Sequence, residues 1–422
     1  MASNVSLHDI PTGPLDHCQI CNSLNLLPVL NLGHHAPCDS LLTQDQLCER
    51  ENTYPLNLVR CDDCGLVQID YAVAPEELFF PEYPYRSGIT ETLLNNLQAI
   101  ARKQINQWDI PQDALVVDLG SNDGSILQGF SREGLRVLGV EPTNIAQIAR
   151  ENGIPTIQDF FDCEIAAQIL AEHGPVHMVT AANMFAHVSK LGGLIDGVHD
   201  MLVDGGYFLS ESHYLLDLLE TVQYDSVYHE HLKYYSLRTI TLLLESHDFT
   251  VVDAERIPNY GGSIRVVARK GLGHTKTDQY QELLKAEDQA GLEDGTTFDR
   301  FCSRVLKAKS ELQTLVLELT GRGERVVGVG CPGRSSTLVN YSNLDSTQIP
   351  YIAEQSTSLK LGLYLPGCHI PIVDEQVMFS EQPENILLLS WHYCKPIIRK
   401  LRDKGLKSKV IVPLPNVHFY ED

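Results

Sequence analysis

The 422-residue sequence has no apolar run that approaches the about 20 residues needed to span a bilayer, and its N-terminus lacks the basic and apolar regions of a signal peptide. Basic residues are scarce as well, because 32 Lys and Arg stand against 55 Asp and Glu. Since phosphate backbones are bound by an excess of basic residues, this balance argues against a nucleic-acid partner. We also find no repeats and no low-complexity segments. We therefore expect a soluble, cytoplasmic monomer without a membrane partner.

Cysteine, in contrast, is plentiful, with 11 residues, and because no signal peptide is readable we expect metal ligands and buried thiols rather than disulfides. Two pairs with CxxC spacing stand about 40 residues apart near the N-terminus. Each such turn presents two thiolates on one side, and two turns complete a closed, tetrahedral and therefore structural zinc site. The predicted ligands are Cys18, Cys21, Cys61 and Cys64. Cys38, Cys48, His34 and His35 are the alternative ligands.

Beyond residue 90, short apolar segments alternate with helical ones, which predicts α/β architecture with parallel sheets and crossover helices. The predicted strands are 114–119, 136–140, 178–182, 206–210, 325–330, 350–353, 386–390 and 409–412. The predicted helices are 90–108, the one that begins at 125, the one that begins at 335, and a helical pair over 277–322. Gly291 and Gly295 mark the break within that pair. The acidic stretch 287–299 is predicted to be solvated helical surface.

The first of these strands runs into the glycine-rich turn DLGSNDGS at 118–125, which is followed by a helix. Gly120 permits close approach of a ligand to the backbone, and Gly124 permits tight packing at the start of the helix. Asn122 occupies the position where a dinucleotide fingerprint has its second glycine, so the turn differs from a GxGxxG motif.

Acidic and amide residues at the ends of the following strands complete a candidate cofactor site. Glu141, about 20 residues after the turn, can accept hydrogen bonds from both hydroxyls of a ribose. Asp159 and Phe160 can bracket an adenine, and Asn183 ends the fourth strand. Together they predict a site for S-adenosylmethionine (SAM). Its predicted residues are Asp118, Gly120, Asn122, Gly124, Glu141, Pro142, Asp159, Phe160 and Asn183.

Several motifs along nearly the whole chain resemble those of the C-methyltransferases of deoxysugar biosynthesis, which act on nucleotide-linked keto-sugars on the way to branched sugars such as mycarose and tetronitrose. The motifs are the two CxxC pairs, DLGSNDGS, YHEH at 228–231 with YYS at 234–236, GGSIR at 261–265 and LPGCHIPI at 365–372. The resemblance implies a zinc module, a Rossmann-like SAM domain and a C-terminal α/β domain that helps to hold the nucleotide sugar. We expect these to occupy 1–75, 76–272 and 273–422.

The resemblance also implies the residues of the reacting centre. Tyr228, Glu230 and His231 match residues at the centre of the family, as does His187. A tyrosine that precedes the polar segment 86–88 is expected to line the same pocket, and Tyr85 is the predicted one.

A carbon acceptor beside a carbonyl requires a base for a weakly acidic C–H and a donor for the enolate oxygen. Histidine suits the first role, with an unperturbed pKa of ~6.5. We predict His231 as the base, Glu230 as the group that holds its imidazolium or orients its ring, and Tyr228 or Tyr85 as the donor. On a strand His229 would share the face of His231, whereas in a turn the two would diverge, and a metal site on the two is a further alternative.

Two segments depart from the pattern of the family. Within GCPGRSS at 330–336, Arg334 stands where the family usually has lysine and Ser335-Ser336 where it has Gly-Asn, and the segment 354–357 replaces the usual Asp-Arg pair with EQST. Both lie where the nucleotide or the sugar is expected to bind, so the exact substrate is open. Gly261-Gly262 is either a close approach to the ligand or sheet, or a plain hairpin turn.

These patterns predict a SAM-dependent C-methyltransferase that acts beside the ketone of a nucleotide-linked 4-keto-deoxysugar. An O- or N-methyltransferase of the same architecture is the first alternative, although such acceptors need less apparatus than the YHEH motif supplies. A non-catalytic protein that binds SAM or a nucleotide sugar is the second.

Overall fold

The structure is a computed structural model that describes residues 12–78, 91–188, 191–293 and 295–421. The predicted pocket residue Tyr85 lies outside these ranges. Within the described ranges, every helix is too short or too polar to cross a bilayer.

The N-terminal region forms a small antiparallel sheet around the cysteine-rich turns. Its elements are β1 (Gly13–Pro14), β2 (Leu26–His35), β3 (Tyr54–Cys61), β4 (Val67–Ile69), β5 (Tyr71–Ala72) and α1 (Pro75–Leu78). Strands β2, β3 and β4 pair in sequence, and β1 pairs with β5.

The middle region alternates strands and helices around a buried sheet. Its elements are α2 (Glu91–Trp108), β6 (Leu115–Leu119), α3 (Ser125–Arg132), β7 (Arg136–Val140), α4 (Ile145–Glu151), β8 (Thr156–Ile157), α5 (Cys163–His173), β9 (Val176–Ala182), α6 (Leu191–Met201), β10 (Leu202–His213), α7 (Leu215–Glu220), β11 (Lys233–Tyr234), α8 (Leu237–Glu245), β12 (Phe249–Ile257) and β13 (Ser263–Lys270). The sheet has the order β12-β13-β10-β9-β6-β7-β8, and β13 is antiparallel to both of its neighbours. The strands β10, β9, β6, β7 and β8 are parallel, so their carboxyl ends meet at one edge of the sheet, where ligands of such sheets bind.

Two helices join the middle region to the last one, as predicted, and they are α9 (Asp278–Ala290) and α10 (Thr296–Gly321). Gly291 ends α9 and Gly295 precedes α10, both with positive φ. The prediction of a solvated surface is wrong at Glu287, which is fully buried. Its carboxylate accepts hydrogen bonds from the Tyr214 hydroxyl and from the first backbone N–H of α8, because the start of a helix leaves N–H groups unsatisfied.

The last region is a second, mostly parallel α/β unit. Its elements are β14 (Val326–Val329), α11 (Arg334–Tyr341), β15 (Ile352–Glu354), β16 (Ile372–Asp374), α12 (Glu375–Glu381), β17 (Asn385–Leu388), α13 (Cys394–Asp403), β18 (Lys409–Val412) and β19 (His418–Phe419). The sheet order is β16-β15-β14-β17-β18-β19, and β19 alone of these strands is antiparallel. The predicted strands and the predicted fold class, α/β with a Rossmann-like domain, are confirmed.

One strand crosses between regions and positions the candidate site. β11 follows the YHEH motif directly, but it pairs with β4 of the N-terminal sheet rather than with the middle sheet. The register joins Lys233 to Gln68 and Tyr234 to Val67. The motif is thus held against the cysteine-rich module.

Candidate active site

The four predicted zinc ligands form one cluster. Their Sγ atoms all lie within 4.8 Å of one another, with 3.5 Å between Cys18 and Cys64 and between Cys21 and Cys61. Tetrahedral zinc with Zn–S bonds of ~2.3 Å separates its sulfur ligands by ~3.8 Å, so the spacing of the cluster is close to the one that a zinc ion requires. The alternative Cys38 lies outside the cluster, with its thiol 3.5 Å from Glu230.

The zinc module is hydrogen-bonded to the chain that follows the YHEH motif. The side-chain amide of Gln19, inside the first CxxC turn, donates to the carbonyl of Leu232 over 3.3 Å. The backbone N–H of Gln19 donates to the side chain of Gln68 over 2.8 Å, which ties the turn to β4. The buried ammonium of Lys233 donates to the carbonyl of Val188 over 2.8 Å. Three separate segments therefore hold residues 232–233.

The glycine-rich turn adopts an alternating backbone. Gly120, Asn122 and Gly124 all have positive φ, at 65°, 50° and 78°. A Cβ atom on Gly120 would lie 3.0 Å from Cγ of Met184, and one on Gly124 would lie 3.0 Å from Ile154, so a side chain at either position would crowd its neighbour as well as strain the backbone. Gly124 immediately precedes α3, whose N-terminus faces the predicted cofactor site.

Glu141 lies at the end of β7, next to the glycine-rich turn. Its carboxylate accepts hydrogen bonds from the backbone N–H of Asn122 over 3.0 Å and from the hydroxyl of Thr143 over 2.7 Å. These contacts fix the carboxylate beside the turn, where the ribose of a nucleoside is expected. Pro142 follows and is half-buried.

The other predicted cofactor residues take different positions. Asn183 follows β9 with a φ of 55°, and its side-chain oxygen is buried without a hydrogen-bond partner among the described residues. Such an orphaned acceptor beside the glycine-rich turn fits a donor group of a bound ligand.

Asp118 is buried within the sheet, where it accepts a hydrogen bond from the Thr180 hydroxyl over 2.6 Å, and burial raises the pKa of its carboxyl to about 7. Asp159 and Phe160 are exposed after β8.

The YHEH motif forms a turn, which resolves how its two histidines are placed. The backbone N–H of His231 donates to the carbonyl of Tyr228 over 2.9 Å. His229 points to the zinc module, where its Nε2 atom lies 3.1 Å from the carbonyl of Pro55 and its ring meets Tyr54 edge-on. His231 points away from that module, so the two rings do not share a metal site.

His231 lies at the centre of a cluster of rings. The ring centroid of Tyr228 is 4.1 Å away, that of His213 is 4.7 Å away, and that of His187 is 4.8 Å away. The Nδ1 atom of His231 lies 2.9 Å from the carbonyl of Ser226. Because a carbonyl can only accept, Nδ1 carries the proton in the neutral ring, and Nε2 is the basic nitrogen.

Burial keeps these histidines neutral. It lowers the pKa of His231 well below its usual value, and the neighbouring His213 and His187 add to the effect. Burial likewise lowers the pKa of His187 to about 4 and that of His213 to about 3. A neutral ring with a defined tautomer is the form that can accept a proton.

Glu230 occupies a buried position beside the N-terminal module rather than on the surface of the turn. Its Oε1 atom accepts from the thiol of Cys38 at 3.5 Å. The prediction that Glu230 orients the ring of His231 is therefore wrong, because the Ser226 carbonyl binds the Nδ1 atom of that ring. Asp39, the residue after Cys38, forms an ion pair of 2.7 Å with Lys360 of the last region. All three regions therefore meet around Cys38 and Asp39, since Glu230 contacts the first and Lys360 the second.

Two histidines near the ring cluster of His231, His213 and His392, were not predicted from the sequence. His213 ends β10, three residues beyond the end of the predicted strand, and its position at a carboxyl strand end was the signal that could have identified it. His392 lies in a short turn after β17, and its buried Nδ1 atom has no hydrogen-bond partner within the described part of the chain. The local sequence around His392 carries no comparable signal.

Known proteins resemble this chain along nearly its whole length. Three family profiles match consecutive parts of the chain: a zinc binding domain at 18–79, a methyltransferase domain at 85–254 and a C-methyltransferase C-terminal domain at 258–415. C-methyltransferase NovU of Streptomyces niveus is 30% identical over 407 residues, which cover 95% of this chain and 96% of NovU.

Two solved structures resemble the chain over less than half of its length. A Pyrococcus horikoshii protein is 17% identical, with a TM-score of 0.37, over 45% of this chain and 96% of its own. Magnesium protoporphyrin IX methyltransferase of Synechocystis, solved with bound SAM, is 11% identical, with a TM-score of 0.32, over 42% of this chain and 79% of its own. The relationship to NovU extends much further, and it places this chain in the C-methyltransferase family, as a SAM-dependent methyltransferase with an N-terminal zinc-binding domain.

Proposed function

We propose that this enzyme transfers a methyl group from SAM to a ring carbon beside the ketone of a nucleotide-linked 4-keto-deoxysugar. The motif resemblance to deoxysugar C-methyltransferases supports the substrate class, and family membership supports carbon as the acceptor. We propose the same division of labour between 1–75, 76–272 and 273–422 as for that family. Tyr85 is proposed to line the sugar pocket.

The position of His231 is the observation that carries the proposal. Its Nδ1–H donates to the Ser226 carbonyl, which leaves Nε2 as the basic nitrogen next to Tyr228 and His187. An oxygen acceptor would not need a desolvated imidazole of defined tautomer, because a hydroxyl is far more acidic than the C–H beside a ketone. This arrangement favours enolate chemistry.

The reaction then has a simple division of roles. Nε2 of His231 accepts the proton from the carbon beside the ketone, and the Tyr228 hydroxyl donates a hydrogen bond to the enolate oxygen. His187 packs against the base and limits its movement. Glu230 stabilises the positive charge that develops in the cluster. SAM supplies the electrophilic methyl group that the enolate carbon takes up.

The geometry of the glycine-rich turn supports the placement of SAM. The carboxylate of Glu141 is proposed to bind the ribose hydroxyls, with Pro142 beside it, and Asn183 to donate or accept at the amino-acid portion. Gly120, Asn122 and Gly124 bring the backbone close, and Asp118 supports the strand below them. The exposed ring of Phe160 and the carboxylate of Asp159 are proposed to flank the adenine.

The test is methyl transfer from SAM with a labelled methyl group to a panel of dTDP- and other nucleotide-linked 4-keto-6-deoxysugars, with the product located by NMR. We expect a new C-methyl group on a carbon beside the ketone. An O-methyl or N-methyl product would show that carbon is not the acceptor. Equal turnover of the free keto-sugars would overturn the requirement for a nucleotide.

A further inference from the structure

Arg334, at the first position of α11, is buried although it lies in a glycine-rich loop where a substrate contact is expected. Its side chain is 6% exposed. Its Nε atom lies 3.2 Å from Oδ2 of Asp225, and Nη2 donates to the side chain of Gln223 over 2.8 Å. Nη1 donates to the carbonyl of Tyr260 over 3.3 Å. All three nitrogens of the guanidinium are therefore bound to the middle region of the chain.

The partner carboxylate is equally enclosed. Asp225 is fully buried, and its Oδ2 atom also accepts from the indole N–H of Trp391 over 2.7 Å. The guanidinium lies 5.4 Å from the centre of the ring of Trp391. A charge pair removed from water in this way holds its geometry, because loss of either member leaves the other charge unpaired.

The next residue after Asp225 is Ser226, whose carbonyl accepts the Nδ1–H of His231. The same carbonyl is 3.3 Å from the hydroxyl of Tyr234. Helix α11 reaches the following residue too, since the hydroxyl of Thr337 donates to the carbonyl of Val227 over 3.0 Å. The last region of the chain therefore holds the residues on both sides of Ser226, Asp225 through Arg334 and Trp391 and Val227 through Thr337.

We propose that Arg334 is a positioning residue for the base: through Asp225 it holds the Ser226 carbonyl, and so determines the orientation and tautomer of His231. This role rests on the proposed function, because it requires His231 to be the base. It makes the C-terminal domain part of the catalytic machinery as well as of substrate binding. It also explains why a cation at this position is enclosed rather than open to a phosphate.

The charged and titratable groups that face His231 come from four elements. His187 follows β9, His213 ends β10, Tyr228 and Tyr234 flank the turn, and Arg334 begins α11. Among them, Arg334 is the permanent cation, and its charge lowers the pKa of His231. Loss of that charge raises the pKa of the base, so the acidic limb of the pH–rate profile moves to higher pH.

The experiment compares kcat, KM and the pH profile of wild type, Arg334→Met, Arg334→Lys and Lys404→Met, with a dTDP-4-keto-6-deoxysugar and SAM. Lys404→Met is the matched control, because it breaks the Lys404–Glu375 ion pair in the same region away from the base. We expect Arg334→Met to lower kcat by roughly 100-fold, as misplacement by about 1 Å does, with unchanged KM for both substrates. Arg334→Lys restores part of kcat, because lysine still reaches Asp225. The control keeps the wild-type kcat.

Thr337→Val is the gentler second variant if Arg334→Met does not fold, and it is expected to lower kcat in the same way but less. A direct readout is the ¹⁵N spectrum of labelled histidines, with the His231 signals assigned through His231→Asn. We expect the Nδ1–H tautomer in wild type and a mixture in Arg334→Met.

Three outcomes would overturn the role of Arg334. They are an unchanged kcat in both Arg334→Met and Thr337→Val, a raised KM for the sugar nucleotide with unchanged kcat, and an equal loss in Lys404→Met. His231→Asn distinguishes failure of the positioning role from failure of the proposed function. If His231→Asn retains full turnover, His231 is not the base. If His231→Asn is inactive while Arg334→Met is fully active, only the positioning role of Arg334 is contradicted.

Discussion

The Nδ1 atom of His231 lies 2.9 Å from the carbonyl oxygen of Ser226, and this contact determines which nitrogen of the ring can act as a base. Both residues belong to the segment that follows β10, but the segment is held from outside. The zinc module bonds to the carbonyl of Leu232, and Arg334 bonds to Asp225. The candidate base is therefore positioned by the N-terminal and C-terminal parts of the chain together.

The pH dependence of methyl transfer follows from the burial of His231. Because burial holds the pKa of the ring well below 6.5, the base stays neutral and active as the pH falls through 6.5. We expect the acidic limb of kcat/KM to lie below pH 6.5. In the unfolded chain the histidines take up protons near ~6.5, so acid also lowers the free energy of unfolding in this range, and circular dichroism at each pH must confirm the fold. A limb at or above pH 6.5 would contradict a buried neutral base.

Tyr228→Phe tests the donor to the enolate oxygen. The ring of Tyr228 lies 4.1 Å from that of His231, so the substitution keeps the packing and removes the hydroxyl. We expect kcat to fall by roughly 10²- to 10³-fold with little change in the affinity for SAM, as for loss of one oxyanion donor. Steady-state kinetics checks this, with Tyr207→Phe on β10 as the control. Equal kcat values for Tyr228→Phe and wild type would exclude Tyr228 from this role.

Glu141→Gln tests the site proposed for the ribose of SAM. The change keeps the shape of the side chain but replaces the carboxylate, which accepts a hydrogen bond from the Asn122 N–H, by a neutral amide. We expect the Kd for SAM, measured by calorimetry, to rise roughly 10- to 100-fold, which corresponds to one or two charged hydrogen bonds. Glu133→Gln, at an exposed ion pair with Arg102, is the control. Unchanged SAM affinity in Glu141→Gln would place the ribose elsewhere.

Removal of zinc tests whether the module supports the catalytic segment. We expect one zinc per chain in wild type and none in Cys61→Ser, measured by atomic emission. Because Gln19 lies inside the first CxxC turn and holds Leu232, loss of the metal is expected to lower kcat more than it weakens SAM binding. Cys48→Ser, at an exposed thiol outside the cluster, should retain both zinc and activity. A zinc-free Cys61→Ser enzyme with the wild-type kcat would show that the zinc module does not support the catalytic segment.

The sequence predicted the features that depend on local patterns. Apolar segments bounded by turns identified β6, β7 and β9, and Gly291 and Gly295 identified the ends of the linking helices. The CxxC spacing identified the thiols that meet in one cluster, because two closely spaced ligands are the local unit of a zinc site.

The features that the sequence did not predict depend on contacts between distant segments. β11 has two residues, and its partner β4 lies more than 160 positions earlier, so no local pattern joins them. The burial of Glu287 depends on the start of α8, and that of Arg334 depends on Asp225. Polar residues of this kind resemble solvated surface until the partner that neutralises them is known.

Proton removal by His231 is tested by deuterium exchange into a nucleotide-linked 4-keto-6-deoxysugar in heavy water, with S-adenosylhomocysteine in place of SAM. NMR would follow the two ring carbons beside the ketone for wild type and for His231→Asn. We expect exchange at one of these carbons in wild type, well above the uncatalysed rate, and its loss in the variant. Exchange at the wild-type rate in His231→Asn would show that another group removes the proton.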